Sequence, residues 1–248
     1  MDTPKISRLV DNFNRSYLLP LLMKSYASES FKHSLEMVIV DDESGPEDHF
    51  KENVKMAVER VKPWFDVRAY RIPKSTHFNG GRTLNVAAKQ SRGQILVFNP
   101  PDIIPLTTGF LEKIYTEHSQ ADWLYFCPRL LRSSNLGQIG EFLIGGASIP
   151  RKMFDHLGGF DEKFVGYGCI DVDFMYRIYY YGPLSGLNWV RKLDKEMVFL
   201  HLEQTKVPIR VDNPELRVKV TMENWKARTI SVNPQGYGIC PELETVYP

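Results

Sequence analysis

The sequence predicts an α/β protein built on one open, mostly parallel sheet with helices on its faces. Short apolar runs rich in β-branched residues alternate along the chain with longer segments of helical periodicity. Acidic or glycine-rich turns follow several of these runs, which is typical of the ligand crevice at the carboxyl edge of a parallel sheet. With 248 residues, 43% of them hydrophobic, and no linker-like segment, the chain has the material for one large domain.

Charge and cysteine content bear on the class of protein and its compartment. Thirty-one basic residues balance thirty acidic ones, and no basic cluster is visible, so we expect no nucleic-acid partner. Cys127, Cys169 and Cys240 are odd in number and far apart, which fits a reducing compartment better than a disulfide scaffold. No apolar stretch near the start is long enough for a signal peptide or a membrane span. We therefore expect a cytoplasmic protein without a membrane span, unless an N-terminal anchor has been lost.

The first half of the chain alternates predicted strands and helices. Strands are expected at 6–14, 35–40, 65–72 and 93–98, with the second and fourth of them buried, and helices at 16–26, 46–60 and 86–91. A Gly-rich turn at 79–85 precedes the third helix, and the N-terminal amides of that helix are suited to an anionic ligand.

The second half contains fewer strands and ends in a segment without a readable motif. Helices are expected at 108–118, 151–157, 173–181 and 214–228, and strands at 121–129 and 197–201. The segment after Glu203 is polar and punctuated by proline, and its last part is aperiodic.

One loop has the composition of a binding or catalytic site. Residues 158–174 hold four glycines and, two residues apart, Asp171 and Asp173 at the start of an apolar helix. Glycine permits the positive φ angles and close backbone approach that wrapping a ligand requires. A helix dipole stabilises carboxylates at the N-terminus of the helix. The alternative is therefore an ordinary Gly-rich loop with a capping Asp.

The same loop resembles the acceptor-side motif of inverting GT-A glycosyltransferases of the β-1,4-galactosyltransferase and polypeptide GalNAc-transferase type. That motif reads Gly-Gly-Phe-Asp-Glu and then Gly-aromatic-Gly-x-Glu-Asp-x-Asp, and its matches here begin at Gly158 and Gly166. The resemblance implies that Asp171 is the catalytic base. It also implies acceptor contacts for three further residues: Tyr167, Gly168 and Asp173. Ile170 replaces a glutamate that helps the family to hold the acceptor sugar, so this departure concerns the acceptor more than the chemistry.

Carboxylates after the second strand match a donor-nucleotide signature. Residues 40–44 read Val-Asp-Asp-Glu-Ser, and their resemblance to the Val-Asp-Asp-x-Ser pattern of glycosyltransferase-2-like enzymes implies that Asp41 and Asp42 hold the base and ribose. The alternative is a capping role before the next helix. By the same resemblance, Asn14 and Arg15 lie by the nucleotide after the first strand, with a solvent-exposed loop arginine as the alternative.

Two further segments resemble parts of the sugar-nucleotide site. The turn at 79–85 stands where the family has Gly-x-x-x-x-Arg-Asn, which implies donor contacts for Arg82 and Asn85; helix capping is the alternative for Asn85. Gly145 and Gly146 precede the Gly-Gly-Phe-Asp-Glu motif, where small residues let a sugar lie against the backbone. We assign both glycines to the acceptor side of the site.

The strand at 93–98 runs into a degenerate metal-binding motif. In register with the family's Asp-x-Asp, Asp102 stands on the second Asp and Pro100 replaces the first. His201 matches the family's histidine ligand, with a structural histidine as the alternative. The resemblance thus implies Mn²⁺ or Mg²⁺ on Asp102 and His201, since these cations take oxygen ligands and donor phosphates. Weak metal binding, metal-free catalysis and an inactive nucleotide-sugar binder are the alternatives.

In chain order, these signals predict a GT-A domain at 1–205 and a C-terminal extension at 206–248 packed on it. The nucleotide-binding half is expected at about 1–105 and the acceptor half at about 106–205. The resemblance implies an inverting glycosyltransferase that moves a sugar from a nucleoside diphosphate sugar, with a UDP-sugar favoured, to a hydroxyl of a glycan or another acceptor. Two alternatives stay open: a non-catalytic nucleotide-sugar-binding module, and a nucleotidyltransferase. The lack of a Gly-rich basic loop after the first strand disfavours the second.

Overall fold

A computed structural model of the chain describes residues 5–73, 78–133, 135–140, 144–166, 168–181, 186, 188–202 and 214–248, with the backbone alone for 135–140, 180, 181, 214 and 217. Ten strands form one sheet. They are β1 (Ile6–Asn12), β2 (Leu35–Asp41), β3 (Asp66–Arg71), β4 (Ile95–Phe98), β5 (Ile103–Pro105), β6 (Leu124–Arg132), β7 (Asn135–Gly140), β8 (Ser148–Pro150), β9 (Val190–His201) and β10 (Glu244–Tyr247).

Helices flank this sheet on both faces. They are α1 (Leu19–Ala27), α2 (Phe50–Val61), α3 (Gly80–Gln90), α4 (Phe110–Gln120), α5 (Arg151–His156), α6 (Ile170–Tyr176) and α7 (Pro214–Ala227). A π-helical turn, Arg177–Tyr181, continues α6, and two short 3-10 turns are formed by Ser16–Leu18 and Pro46–Asp48. No helix among the described residues is long and apolar enough to cross a membrane.

The sheet is mixed, with a parallel centre. Its strand order is β10-β3-β2-β1-β4-β8-β6-β9-β5, and β7 pairs with β6. Strands β3, β2, β1 and β4 are mutually parallel, as are β6 and β9, while β8 joins the two groups antiparallel to both neighbours. Asn12 lies opposite Asp41, and Leu9 lies opposite Phe98. The carboxyl ends of β1, β2 and β4 therefore meet at one edge.

The central strands are buried on both faces, so side-chain alternation decides which helical layer each residue meets. Val10 and Ile39 belong to the apolar cluster under α1, α2 and α4. Leu9 and Val40 belong to the cluster under α3, α5 and α6. Because neighbouring strand residues point to opposite faces, Asp41 falls on the α2 side of the sheet, and Asp11 and Asp42 fall on the α3 side.

Several elements differ from the sequence-based expectation. Helix α3 begins at Gly80 and not at 86, because Asn79 caps it: the Asn79 side chain accepts a hydrogen bond from the backbone N–H of Arg82. Helix α6 begins at Ile170 and not at 173. The short strands β5, β7 and β8 were not predicted, nor was β10, which lies in the supposedly aperiodic tail and pairs antiparallel with β3.

The C-terminal part of the chain packs on the sheet domain. Nδ2 of Asn224 in α7 donates to Oδ2 of Asp161 at 2.8 Å and to Oδ1 of Asp173 at 2.9 Å. The backbone N–H of Gly238 donates to Oε1 of Glu162 at 2.7 Å. Both contacts fall on the Gly-Gly-Phe-Asp-Glu segment or the helix after it. The expected boundary at 205 and 206 lies outside the described residues.

Candidate active site

Three carboxylates from different strand ends lie around one arginine at the carboxyl edge of the parallel strands. Asp11 is near the end of β1, Asp42 follows β2, and Asp102 follows β4. The charges of Arg15, Asp42 and Asp102 all act on the carboxyl group of Asp11. Nη1 of Arg15 lies 2.8 Å from Oδ2 of Asp102. We call Asp11, Arg15, Asp42 and Asp102 the crevice cluster.

Asp11 is a member of this cluster that the sequence analysis missed. Burial raises the pKa of Asp11 to about 7; the Arg15 charge opposes the rise and the Asp102 charge adds to it. The Oδ1 atom of Asp11 is buried and accepts no hydrogen bond from the described residues. An acidic residue at the carboxyl end of the first parallel strand was the signal that could have found it.

The two carboxylates of the Val-Asp-Asp-Glu-Ser stretch have different surroundings. Oδ2 of Asp42 accepts a hydrogen bond from the backbone N–H of Asn79, at the start of α3, at 2.8 Å. Asp41 lies on the other face, where its oxygens accept hydrogen bonds from Nδ2 of Asn12 at 2.7 Å and from the backbone N–H of Ser44 at 3.0 Å. Nε of Arg71 lies 3.3 Å from Oδ2 of Asp41. Asp42 thus borders the crevice, and Asp41 stabilises the loop that leaves β2.

Asn14 and Arg15 also have different surroundings. Asn14 has a left-handed backbone with φ 55°. Its backbone N–H donates to Oγ of Ser44 at 2.7 Å, and its Oδ1 accepts from the backbone N–H of Gly45 at 2.8 Å. Asn14 therefore ties the loop after β1 to the loop after β2. Arg15, with 28% of its side chain exposed, carries the positive charge of the crevice.

Arg82 and Asn85 lie on α3 and contact other parts of the protein. Nη2 of Arg82 lies 3.8 Å from Sγ of Cys240 in the C-terminal segment. Nδ2 of Asn85 donates to the carbonyl of Phe160 and to Oε1 of Glu162, both at 2.8 Å, and its Oδ1 accepts from the backbone N–H of Phe160. A Cβ on Gly159, whose φ is 72°, would lie 2.5 Å from Oδ1 of Asn85. Asn85 thus fixes the Gly-Gly-Phe-Asp-Glu segment against α3.

The structure brings Asp102 and His201 together. Strand β9 ends at His201 opposite Ile103 of β5, which places Nε2 of His201 3.4 Å from Oδ2 of Asp102. Oδ1 of Asp102 is buried without a hydrogen-bond partner among the described residues. In the part of the chain that the structure describes, no three His, Cys, Asp or Glu side chains form a group that could hold a metal ion.

Asp171 lies in the first turn of α6. The preceding Cys169 has a left-handed backbone, φ 66°, which turns the chain into the helix. A Cβ on Gly80 would lie 3.5 Å from Cδ1 of Ile170 and 3.8 Å from Oδ2 of Asp11. The start of α3 is therefore in contact with both the crevice cluster and the turn that bears Asp171. Burial raises the pKa of Asp171, although its carboxylate accepts a hydrogen bond from a backbone N–H.

Asp173, two residues further along the chain, contacts other side chains inside the protein. Its Oδ2 lies 2.9 Å from Nε of Arg177, and its Oδ1 accepts from Asn224 at 2.9 Å. Nη1 of Arg177 donates to the carbonyl of Leu157 at 2.8 Å. Asp173 and Arg177 are both buried. These contacts join α6, α7 and the loop before the Gly-Gly-Phe-Asp-Glu segment, and they engage both carboxylate oxygens of Asp173 inside the protein. The acceptor contact of Asp173 stays a prediction.

The predicted acceptor glycines lie in different environments. Gly145 and Gly146 are buried, and a Cβ on Gly146, with φ 78°, would lie 2.5 Å from Cδ2 of Phe199. A Cβ on Gly168, with φ 98°, would meet no atom of the described residues within 4 Å. Tyr167 lies outside the described residues.

Comparison with solved structures gives matches that cover 80–82% of this chain. No protein-family model matches the chain, and no curated protein matches it. S. aureus TarS 1–349 in complex with UDP-GlcNAc matches with a TM-score of 0.63 at 15% sequence identity, over 82% of this chain and 60% of that chain. Its complex with UDP matches with a TM-score of 0.63 at 14% identity, over 80% and 60%.

A third match comes from another organism. The mannosyltransferase PcManGT from Pyrobaculum calidifontis, in complex with GDP-Man and Mn²⁺, has a TM-score of 0.60 at 14% identity, over 81% of this chain and 57% of that chain. The chain has the GT-A fold. The predicted fold class is thereby confirmed, whereas the finer resemblance to β-1,4-galactosyltransferases and polypeptide GalNAc-transferases stays a prediction. The chain spans 60% of the length of TarS 1–349.

Proposed function

We propose that this GT-A protein is an inverting glycosyltransferase that moves a sugar from a nucleoside diphosphate sugar to an acceptor hydroxyl. One juxtaposition carries the proposal: Gly80, at the start of α3, is close to both Asp11 of the crevice cluster and Ile170 beside Asp171. A candidate base is therefore adjacent to a candidate donor site. The neighbours' complexes with UDP-GlcNAc, UDP and GDP-Man support a nucleotide sugar as the donor.

In this proposal Asp171 is the general base. It accepts the proton of the acceptor hydroxyl while the hydroxyl oxygen attacks the anomeric carbon and the bond from that carbon to the diphosphate oxygen breaks. Burial raises the pKa of Asp171, and a raised pKa brings a carboxylate closer to the range in which a base works best near neutral pH. Attack from the face opposite the diphosphate inverts the anomeric carbon.

The crevice cluster and the start of α3 form the proposed donor site. Asp42 would accept hydrogen bonds from the nucleoside, since its backbone neighbours place it at the edge of the crevice. The N-terminus of α3 carries a partial positive charge that favours an anionic diphosphate, and Arg15 adds a full charge beside it. These groups offset the negative charge that develops on the departing diphosphate. We favour UDP as the nucleotide.

Asp102 and His201 fit a divalent metal as a partial ligand set. They offer an oxygen and an imidazole nitrogen, and Oδ1 of Asp102 has no partner among the described residues. They would hold Mn²⁺ or Mg²⁺ together with oxygens of the donor, because no third side chain of the described residues completes a group. A bound divalent cation supplies a Lewis acid for phosphoryl oxygens.

A non-catalytic nucleotide-sugar-binding module is the second candidate. It is favoured by Pro100 and Ile170, two positions where the resembling family carries carboxylates, and by the ion pair that Arg15 makes with Asp102. Such a module would bind the donor nucleotide but neither hydrolyse nor transfer the sugar, with or without a metal.

Calorimetric titration of UDP and GDP, with and without Mn²⁺, tests the proposal. We expect UDP binding that Mn²⁺ strengthens in the unmodified protein and no longer strengthens in the Asp102→Ala variant. Metal-independent binding would mean that protein groups such as Arg15 neutralise the charge of the diphosphate. Absence of binding to either nucleotide would overturn the proposed function. Turnover of a UDP-sugar panel then separates the enzyme from the binding module.

A further inference from the structure

Oδ1 of Asp11 and Oδ1 of Asp102, both in the crevice cluster, are buried and have no hydrogen-bond donor among the described residues. An ionised carboxylate is an acceptor only, and a buried acceptor without a donor is unfavourable unless a ligand supplies one. Two such oxygens in one crevice therefore call for a ligand that donates hydrogen bonds there.

Glu36, a buried carboxylate in the same sheet, shows that the fold can satisfy such a group. Its oxygens accept hydrogen bonds from Oγ of Ser7 at 2.5 Å and from the backbone N–H of Gly93 at 3.1 Å, and Nε of Arg92 lies 3.2 Å away. Asp11 is on the neighbouring strand, but its Oδ1 has no comparable partner. The missing donor at Asp11 is thus a local property of the crevice.

The position of Asp11 indicates which part of the donor it meets. Strand β1 lies between β2 and β4 in the sheet, so Asp11 near the end of β1 lies between Asp42, the proposed nucleoside contact after β2, and Asp102, the proposed diphosphate contact after β4. In a nucleoside diphosphate the ribose lies between the base and the diphosphate. Its two hydroxyls are hydrogen-bond donors of the kind that Asp11 lacks.

We propose that Asp11 binds a ribose hydroxyl of the donor nucleotide, and that this carboxylate from β1 replaces the one that Pro100 removes from the Asp-x-Asp motif. The crevice then still presents two carboxylates between nucleoside and diphosphate, Asp11 and Asp102. Asp11 lies near the end of β1, whereas Asp102 follows β4. This inference rests on the proposed nucleotide-sugar function and names one contact within that site.

Calorimetry with UDP and 2′-deoxy and 3′-deoxy UDP tests the contact, using Asp11→Asn and Asp11→Ala. We expect each variant to bind UDP about tenfold more weakly, the loss expected for a hydrogen bond to a charged group. In the unmodified protein, one of the deoxy analogues should bind about tenfold more weakly than UDP. In the Asp11 variants, the same analogue should bind as well as UDP, because the hydroxyl and the carboxylate take part in the same interaction. The matched control is Glu29→Gln, a partly buried carboxylate at the start of α4, which should leave UDP affinity unchanged.

The double variant Asp11→Asn/Pro100→Asp tests the replacement itself, and it should regain part of the lost UDP affinity. A double variant that binds no better than Asp11→Asn would overturn the replacement. If the Asp11 variants bind UDP as tightly as the unmodified protein does, and their melting temperatures are unchanged, the ribose contact is overturned. The proposed function would still stand in that case. Failure of the unmodified protein to bind UDP or GDP would instead overturn the proposed function.

Discussion

Arg15 and Asp102 form an ion pair of 2.8 Å on the carboxylate oxygen that also lies 3.4 Å from Nε2 of His201. One oxygen thus faces both the arginine and the histidine that, in our proposal, shares a metal with Asp102. A guanidinium and a divalent cation repel each other, so Arg15 and the metal compete for Asp102. In our proposal, this ion pair therefore affects how strongly nucleotide binding depends on metal.

Replacement of Arg15 by alanine should change metal and nucleotide binding in opposite directions. In the presence of UDP, we expect Mn²⁺ to bind about tenfold more tightly, because a positive charge next to its ligand is gone. UDP without metal should bind more weakly, because the diphosphate loses a cation. Titration of Mn²⁺ followed by electron paramagnetic resonance, and calorimetry with UDP, measure the two effects.

The matched control is Lys152→Ala, which removes an exposed partner of Asp122. Since exposed ion pairs contribute little, this variant should leave both affinities unchanged. Weaker Mn²⁺ binding by Arg15→Ala would contradict the competition between Arg15 and metal.

Asp171→Asn should abolish sugar transfer while the protein still binds nucleotide. Loss of a positioned base lowers the rate by about 10²- to 10⁴-fold, and the crevice cluster does not include Asp171. Since burial raises the pKa of Asp171, transfer by the unmodified protein should rise with pH as this carboxyl ionises. Release of UDP from a UDP-sugar panel, measured from pH 5 to 9, checks both expectations. Turnover retained by the variant would remove Asp171 from the mechanism, and exposed Asp122→Asn serves as the control.

The sequence allowed the centre of the fold to be predicted because its strands are long apolar runs. Strands β5 and β8 span three residues each, too few for a periodic pattern. Strand β10 contains one apolar and one aromatic side chain that are only partly buried, and it exists because it pairs with the edge of β3. Such edge strands depend on a partner distant in the sequence, which local patterns do not contain.

The candidate site was predictable in part, and Asp41 and Asp42 show why. Adjacent residues of a strand point to opposite faces, so one of the two carboxylates meets α3 and the other meets the α2 side. In a strand buried on both faces, the apolar run does not reveal which layer will hold the ligand. The sequence therefore indicated the pair of residues, and only the packing of α3 separated Asp42 from Asp41. Asp11 was missed for the same reason, since it lies within a run whose neighbours are buried.

Asp173→Ala should destabilise the protein strongly, unlike Asp171→Asn. Asp173 and Arg177 have 3% and 0% of their side chains exposed, and removal of one partner leaves a buried guanidinium without its counterion. Such losses are about 3–5 kcal/mol in the free energy of unfolding, which lowers the melting temperature by about 10 °C for a chain of this size. Thermal unfolding followed by circular dichroism measures the change. A loss below about 1 kcal/mol, the value for an exposed pair, would contradict the structural role of Asp173.

The pH dependence of stability should reveal the burial of Asp11. Its pKa is about 7 in the folded protein and 3.8 as the reference value, so folding favours the protonated carboxyl. The stability that Asp11 contributes is fully present below pH 3.8 and is lost as the pH rises through 7. Three charged groups act on this carboxyl group: Arg15 favours its ionisation, and the carboxylates of Asp102 and Asp42 oppose it.

The Asp11→Asn side chain carries no charge at any pH. The free energy of unfolding of this variant should therefore equal that of the unmodified protein at pH 4 and exceed it by about 2 kcal/mol at pH 8, the order of the cost of an unsatisfied buried polar group. Urea unfolding at both pH values gives the two differences. Glu36 is the opposite control: burial alone would raise its pKa, but hydrogen bonds from Ser7 and Arg92 and the charge of Arg68 lower it. Glu36→Gln should accordingly cost more stability at pH 8 than at pH 4. A difference for Asp11→Asn that does not grow between pH 4 and 7 would show that Asp11 is ionised in the folded protein without penalty, and that its carboxylate already has a partner.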